Sequence, residues 1–89
     1  MIYITEVHMT GGTGHQHIGA VRWRNPNGGK CGRMSRAEIV AWIRDKKGDA
    51  RVRVGKRNVK VGAVKATPPY IRTYADKTWT DNLLALPRY

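Results

Sequence analysis

Apolar and polar residues alternate with a period of two in several short segments, which is the pattern of β-strands with one buried face. In residues 2–9, one side of the alternation holds Tyr3, Thr5, Val7 and Met9, and the other holds Ile2, Ile4, Glu6 and His8. A glycine-rich break at residues 11–14 follows, and alternation resumes from Ile18 to Arg24. These two segments predict a β-hairpin with a long glycine-rich loop.

A helix is predicted over residues 35–47, after an Asn-Pro-Asn-Gly-Gly turn and a short extended piece. Ser35 is a good N-cap, and Glu38 lies three residues further on, which is the spacing of a capping box. Gly48 favours a left-handed cap at the other end. The helix is therefore the best-marked element of the chain.

The second half of the chain predicts another hairpin and a last strand. Val52 and Val54 alternate with arginines, and Val59 and Val61 flank a lysine across a connector at residues 55–58. Tyr70 to Tyr74 predict the last strand, and the terminal leucines Leu83, Leu84 and Leu86 predict a segment docked on the core. We expect a single α+β domain over residues 1–89: a small antiparallel sheet of two hairpins plus a C-terminal strand, packed against one α-helix.

The strong positive charge of the chain indicates a class of function. Seventeen Lys and Arg oppose six Asp and Glu, for a net charge of +11, and no acid occurs between Val7 and Ala37 or between Ala50 and Ala75. If the valines face the core, Arg51, Arg53 and Lys60 must project from the opposite face. This pattern predicts a surface for an anionic partner, although a merely solvated face is the plain alternative.

Candidate ligand-binding residues fall into three sets. The cations expected to contact phosphate are Arg22, Arg24, Arg51, Arg53, Lys56, Arg57, Lys60 and Arg72. The aromatic residues near them, which either stack on bases or fill the core, are Trp23, Tyr70 and Tyr74. The glycine-rich candidate ligand loop, which is otherwise a plain hairpin loop, comprises Gly11, Gly12, Thr13, Gly14, His15 and His17.

Metal and thiol chemistry find little in the sequence. His8, His15 and His17 have a spacing that permits a metal site without specifying one, because alternate strand residues such as 15 and 17 point the same way. Cys31 is the only cysteine, so no internal disulfide forms. We predict no metal and no cofactor.

The leading hypothesis is a small, basic, non-enzymatic protein that binds the nucleic-acid phosphate backbone. The alternative is an interaction or inhibitor protein that captures a nucleotide-like ligand or an acidic host-protein surface, for which a homo-oligomer with a pocket between subunits would be suited. A third hypothesis is histidine-assisted phosphoryl transfer or nuclease activity near the first loop. The sequence shows neither a signal peptide nor a membrane span, so a cytoplasmic location is expected.

The C-terminal motifs resemble those of a known family. Tyr70-Ile71-Arg72-Thr73, then Asp76, Asp81-Asn82-Leu83 and Leu86-Pro87 resemble the closing signature of the small bacterial and phage domain of unknown function 3892 (DUF3892). The order of hairpin, capped helix and further strands is also similar. This resemblance implies an α+β module of unassigned activity, in which Arg72, Asp76 and Asn82 serve either a ligand or the turns they occupy.

Overall fold

The computed structural model describes all 89 residues, which form seven strands, one α-helix and two short 3-10 turns. The strands are β1 (Ile2–Met9), β2 (Ile18–Arg24), β3 (Cys31–Ser35), β4 (Ala50–Val54), β5 (Arg57–Val64), β6 (Tyr70–Ala75) and β7 (Thr78–Thr80). The helix α1 is Arg36–Asp45, and the 3-10 turns are His15–His17 and Asn82–Ala85. The predicted α+β class is confirmed.

All seven strands belong to one sheet with the order β3-β2-β1-β4-β5-β6-β7. β1 to β3 form one antiparallel meander and β4 to β7 form another. The two meanders join where β1 runs parallel to β4, with Ile2 opposite Ala50 and Tyr3 opposite Arg51. The prediction of an antiparallel sheet of two hairpins plus one strand was therefore incomplete, because α1 crosses over the sheet and returns the chain parallel to β1.

The strands that the sequence did not predict as such lie at the two edges of the sheet. β3 has only a weak apolar alternation, and β7 is three residues long. β7 forms a hairpin with β6 through Asp76 and Lys77, whose φ angles are 52° and 64°. Positive φ at both turn residues is typical of a type I′ hairpin, but Asp-Lys is a much weaker signal for it than Asn-Gly.

A β-bulge in β1 changes which of its residues are buried. The register with β2 shifts between Ile4 and Glu6, so Thr5 is an extra residue on this strand. Ile4 and Val7 consequently both face the core, with 1% and 0% exposure. The prediction that Val7 shares a side with Tyr3 was wrong, because a strict period of two does not survive an inserted residue.

The predicted capping box of α1 is confirmed: the Glu38 N–H donates to the Ser35 hydroxyl, and the Ser35 N–H donates to the Glu38 carboxylate. These bonds lower the pKa of Glu38. The left-handed residue at the other end is Lys47, with φ 52°, and not Gly48 as predicted. A Cβ at Gly48 would overlap the Trp42 ring, so glycine is needed there for close approach.

One apolar cluster holds the sheet, the helix and the C-terminal segment together. Its buried members are Ile2, Ile4, Val7, Ile18, Val21, Ile39, Val40, Ala50, Val52, Val61, Ile71 and Leu83. Ile39 and Val40 come from α1, and Leu83 comes from the second 3-10 turn, as expected for a docked terminal segment. α1 and this turn therefore pack on the same face of the sheet, and the opposite face is called the outer face below.

Thr73 anchors the C-terminal motif by hydrogen bonds. Its fully buried hydroxyl donates to the Thr80 carbonyl at 3.0 Å, and it accepts from the Thr80 hydroxyl at 2.7 Å and the Asn82 N–H at 3.1 Å. The Asn82 side-chain amide donates to the Thr80 hydroxyl at 3.1 Å. Asn82 therefore ties the last turn to β6 and β7.

Replacing Thr73 with valine keeps the shape of the side chain but removes the acceptor for the Asn82 N–H. We expect Thr73→Val to lower the free energy of unfolding by about 1–3 kcal/mol, the cost of a buried polar group without a partner. Urea denaturation followed by circular dichroism measures this change. Thr13→Val, at an exposed loop position, is the matched control and should have little effect; equal stability of the two variants would contradict the role of Thr73.

Candidate functional site

One residue from each of the seven strands lies in a single register row across the outer face. From β3 to β7, the members of this cross-strand row are Cys31, Arg24, Tyr3, Arg51, Lys60, Tyr74 and Trp79. Neighbouring strands are about 4.8 Å apart, so the row extends roughly 29 Å. It contains three cations and three aromatic rings, and it contains no carboxylate.

Arg51, at the middle of the row, is held by residues of the chain itself. Its guanidinium donates to both carboxylate oxygens of Asp49, at 2.9 and 3.3 Å, and to the Asn58 side chain at 2.7 Å. Hydrogen bonding from Arg51 lowers the pKa of Asp49, and the same contact raises the pKa of Arg51. Arg51 is thus fixed in place and partly neutralised, whereas Arg24 and Lys60 have no carboxylate partner.

Two tyrosine rings on the outer face each attract two guanidinium groups. The Tyr3 ring centroid lies 5.2 Å from the guanidinium carbon of Arg24 and 5.8 Å from that of Arg53. The corresponding distances from Tyr89 are 4.4 Å to Arg22 and 5.6 Å to Arg33. A ring face attracts a cation without cancelling its charge, so these contacts orient the arginines and leave them positive.

Tyr89 reaches this face because the C-terminal segment extends the sheet beside β1. Val7 and Arg88 form a parallel bridge, the Tyr89 N–H donates to the Val7 carbonyl, and the Arg33 Nε–H donates to the Tyr89 hydroxyl at 3.1 Å. His8 Nδ1 lies 2.6 Å from the Tyr89 main-chain oxygen. The ring is therefore fixed from several sides under Arg22 and Arg33.

A groove lies at each end of the cross-strand row. The first, of about 570 Å³, is lined by Arg22, Arg24 and Arg33 together with Cys31 and one carboxylate, that of Glu6, which lies 3.4 Å from Arg22 Nη1. The second, also about 570 Å³, is lined by the row residues Lys60, Tyr74 and Trp79 and by Ile43 and Lys47 at the end of α1. One end of the row is rich in guanidinium groups, and the other is rich in aromatic surface.

Most of the positive charge has no internal partner. Side-chain carboxylates lie within 4 Å of four of the seventeen Lys and Arg side chains, namely Arg22, Arg44, Arg51 and Arg72, which leaves thirteen without one. Strands β2, β3, β4 and β5 carry five exposed cations on the outer face, namely Arg22, Arg24, Arg33, Arg53 and Lys60. Charge on this face is therefore available to a ligand.

The other predicted phosphate contacts occupy different positions. Lys56 lies in the turn of the β4–β5 hairpin, and Arg57 pairs with Val54, so its side chain leaves the sheet on the core side at the exposed hairpin tip. Arg72 donates to Asp81 at 2.7 Å and to the Thr80 carbonyl at 3.1 Å. Arg72 is consequently held within the C-terminal motif and is not one of the thirteen cations that lack a carboxylate partner.

The structure separates the three predicted stacking residues. Trp23 pairs with Ile4 and Gly32 and packs against the core, with its indole N–H buried and without a partner. Tyr70 is half-buried, at the far end of β6. Tyr74 is 41% exposed and meets Trp79 edge-on, with ring centroids 5.2 Å apart. Of the three, only Tyr74 belongs to the cross-strand row.

The two histidines of the glycine-rich loop, His15 and His17, point to different parts of the structure. Residues 15–17 form a 3-10 turn, so the expectation that residues 15 and 17 point the same way as in a strand was wrong. His15 is buried near Asp81, whereas His17 Nδ1 lies 3.1 Å from the Thr10 carbonyl oxygen. His17 also lies so close to Gly12 that a Cβ there would be 2.5 Å from the ring. His8 lies at Tyr89, and no group of three metal-binding side chains is found.

Tyr3, Arg33, Tyr89 and Trp79 are site residues that the sequence did not predict. Arg33 lies in the acid-free stretch and Tyr3 in a predicted strand, but their positions beside Arg22 and Arg24 depend on pairings that the sequence does not reveal. The alternation Thr78-Trp79-Thr80 was the available signal for β7. Nothing in the sequence indicated that Tyr89 returns to β1.

Comparison with known proteins identifies the family. A family model described as a protein of unknown function (DUF3892) matches residues 3–87. The chain belongs to the DUF3892 family. The resemblance of the C-terminal motifs is thereby confirmed, and no curated protein or solved structure matches the chain. Within this DUF3892 domain, the ten-residue α1 is too short to cross a membrane.

His15 lies next to the family motif, and its environment predicts a pH effect on stability. Burial lowers the pKa of the ring, Arg72 lowers it further, and Asp81 opposes both. The unfolded chain therefore binds this proton at a higher pH than the folded chain does. As pH falls from the ordinary histidine pKa of 6.5 toward the lower pKa of the folded state, protonation of His15 in the unfolded chain lowers the free energy of unfolding. Above pH 6.5, His15 has no such effect.

We expect His15→Gln to reduce the fall in melting temperature on acidification from about pH 7.5 to about pH 5, an interval that brackets the ordinary histidine pKa of ~6.5. Thermal melts at several pH values measure this fall. Thr13→Val is the control, because this exposed side chain in the same loop does not titrate, and it should keep the wild-type pH dependence. An unchanged fall in the His15 variant would exclude this role.

Proposed function

We propose that this domain is a non-catalytic nucleic-acid-binding protein that contacts the phosphate backbone with the outer face of its sheet. The observation that carries the proposal is the pair of tyrosine-anchored arginine clusters: Arg24 and Arg53 on Tyr3, and Arg22 and Arg33 on Tyr89. These four guanidinium groups lie on one face, and Glu6 is the single carboxylate that pairs with any of them.

Guanidinium groups suit phosphate because their planar fork donates two parallel hydrogen bonds to its oxygens. Holding each arginine on a ring lowers the conformational entropy that it would lose on binding. Contacts of this kind release condensed counterions, and they carry no base information. The expected binding is therefore salt-dependent and largely independent of sequence.

The cations have different roles in this proposal. Arg24, Arg53 and Lys60 contact phosphates directly, because they are exposed and have no carboxylate partner. Arg51 lies between them and is positioned by Asp49. Lys56 and Arg57 extend the positive surface at the hairpin tip.

A double variant tests the outer face. Each cation that contacts phosphate contributes roughly 0.7 to the slope of log affinity against log salt for single strands and roughly 0.9 for duplex. We expect Arg24→Gln/Arg53→Gln to weaken binding at low salt and to reduce the slope by about 1.4 to 1.8. Fluorescence anisotropy with a labelled mixed-sequence oligonucleotide, titrated at several salt concentrations, measures both quantities.

The matched control is Arg44→Gln/Lys46→Gln, which removes the same charge from exposed positions at and just beyond the C-terminal end of α1. It should lower affinity only through net charge and leave the slope close to that of the wild type. Equal effects of the two double variants would show that charge acts without regard to position. Failure of the wild-type protein to bind at low salt would overturn the proposal altogether.

A further inference from the structure

Trp79 and Tyr74 place two large aromatic rings on the surface at the β7 end of the cross-strand row. Trp79 is 38% exposed and Tyr74 is 41% exposed. The chain contains no phenylalanine, so its tryptophans and tyrosines supply much of the available aromatic bulk. Two adjacent rings that are partly exposed offer a surface on which a planar ligand can stack.

The position of Trp79 is built into the sheet. Its ring lies against Gly62 of β5, where a Cβ would be 3.2 Å from two ring atoms. The ring meets Tyr74 at an interplanar angle of 71°, so each ring supports the other edge-on. A glycine within a strand often marks such a close approach, and here it seats the indole on the sheet.

The groove beside these rings has cations on its walls. Residues 61–64 of β5 extend beyond the last residue that pairs with β4. The end of α1 lies beside this stretch and lines the groove with it. Lys47 and Lys60 line this groove with Ile43 and the two rings. Its volume of about 570 Å³ lies within the usual range for small-ligand sites. Aromatic surface flanked by ammonium groups suits a planar base joined to a phosphate.

We infer that the ligand is single-stranded nucleic acid, with one unstacked base held in the groove of Trp79 and Tyr74; this inference rests on the proposed function. The bases of a duplex are stacked inside the helix and do not reach an exposed ring, whereas those of a single strand do. From this groove the strand follows the cross-strand row, with phosphates at Lys60 and Arg24. The row then ends in the groove of Arg22, Arg24 and Arg33.

The decisive experiment compares ligands that have the same phosphates but differ in bases. Fluorescence anisotropy is measured for labelled oligothymidine of about 12 nucleotides, within the ~4–16 that single-strand sites cover, for an abasic strand of equal length, and for a hairpin duplex. We expect oligothymidine to bind more tightly than the abasic strand and the duplex at matched salt. Thymidine monophosphate should compete weakly, because it contacts only one groove.

Trp79→Leu isolates the contribution of stacking. It should weaken oligothymidine binding by roughly 5-fold to 150-fold, the range expected for loss of one stacked base, and leave binding of the abasic strand unchanged. Tyr70→Leu is the matched control, because it removes a ring from β6 outside the cross-strand row. Circular dichroism and thermal melts establish that both variants are folded.

The outcomes separate this inference from the proposed function. Equal binding of oligothymidine and the abasic strand by the wild type overturns the base site but supports phosphate binding. Absence of binding to every strand at low salt overturns both. Competition by the mononucleotide at the affinity of the oligomer overturns the extended path along the row.

A measurement on the wild-type protein covers the case in which Trp79→Leu does not fold. Ultraviolet cross-linking of oligothymidine, followed by mass spectrometry of the digested adduct, identifies the residues that contact bases. We expect adducts on the peptide that contains Tyr74 or Trp79. Adducts confined to other peptides would overturn the inference.

Discussion

The structure depends on the burial of one face of the sheet. α1 and the C-terminal 3-10 turn pack on the same side of the sheet, and the buried apolar side chains of β1, β4 and β5 point toward that side. Successive residues of a strand point to opposite faces, and the residues between the apolar ones therefore point outward. Tyr3, Arg51 and Lys60 reach the outer face for this reason, and the site is a consequence of how the core is built.

Strand register then determines which cations and aromatic rings lie side by side on the outer face. The parallel pairing of β1 with β4 joins the two meanders and places Tyr3 between Arg24 and Arg51 in the cross-strand row. Without that pairing, the arginines of β2 and the lysine of β5 would lie on separate sheets. The bulge at Thr5 has a related effect, because it keeps Val7 in the core while Glu6 stays opposite Arg22.

Two acids pair with cations of the outer face, Glu6 with Arg22 and Asp49 with Arg51, whereas Arg24, Arg33, Arg53 and Lys60 have no carboxylate partner. Of the other acids, Asp81 pairs with Arg72 and Glu38 caps α1. Like charges gathered on one face destabilise a small domain. Tyr3 and Tyr89 offset part of this cost, since the face of each ring attracts two guanidinium groups without neutralising them.

Local signals in the sequence determined the capped helix, the first hairpin, the core valines of β4 and β5, and the outward direction of Arg53 and Lys60. These features depend on residues close in the chain, for which period and capping chemistry suffice. Only the tertiary structure decided the β1–β4 pairing, the return of Tyr89 to β1, and the Trp79 groove. Each of these is a contact between distant segments, and its register is set by how the whole core packs rather than by neighbouring residues.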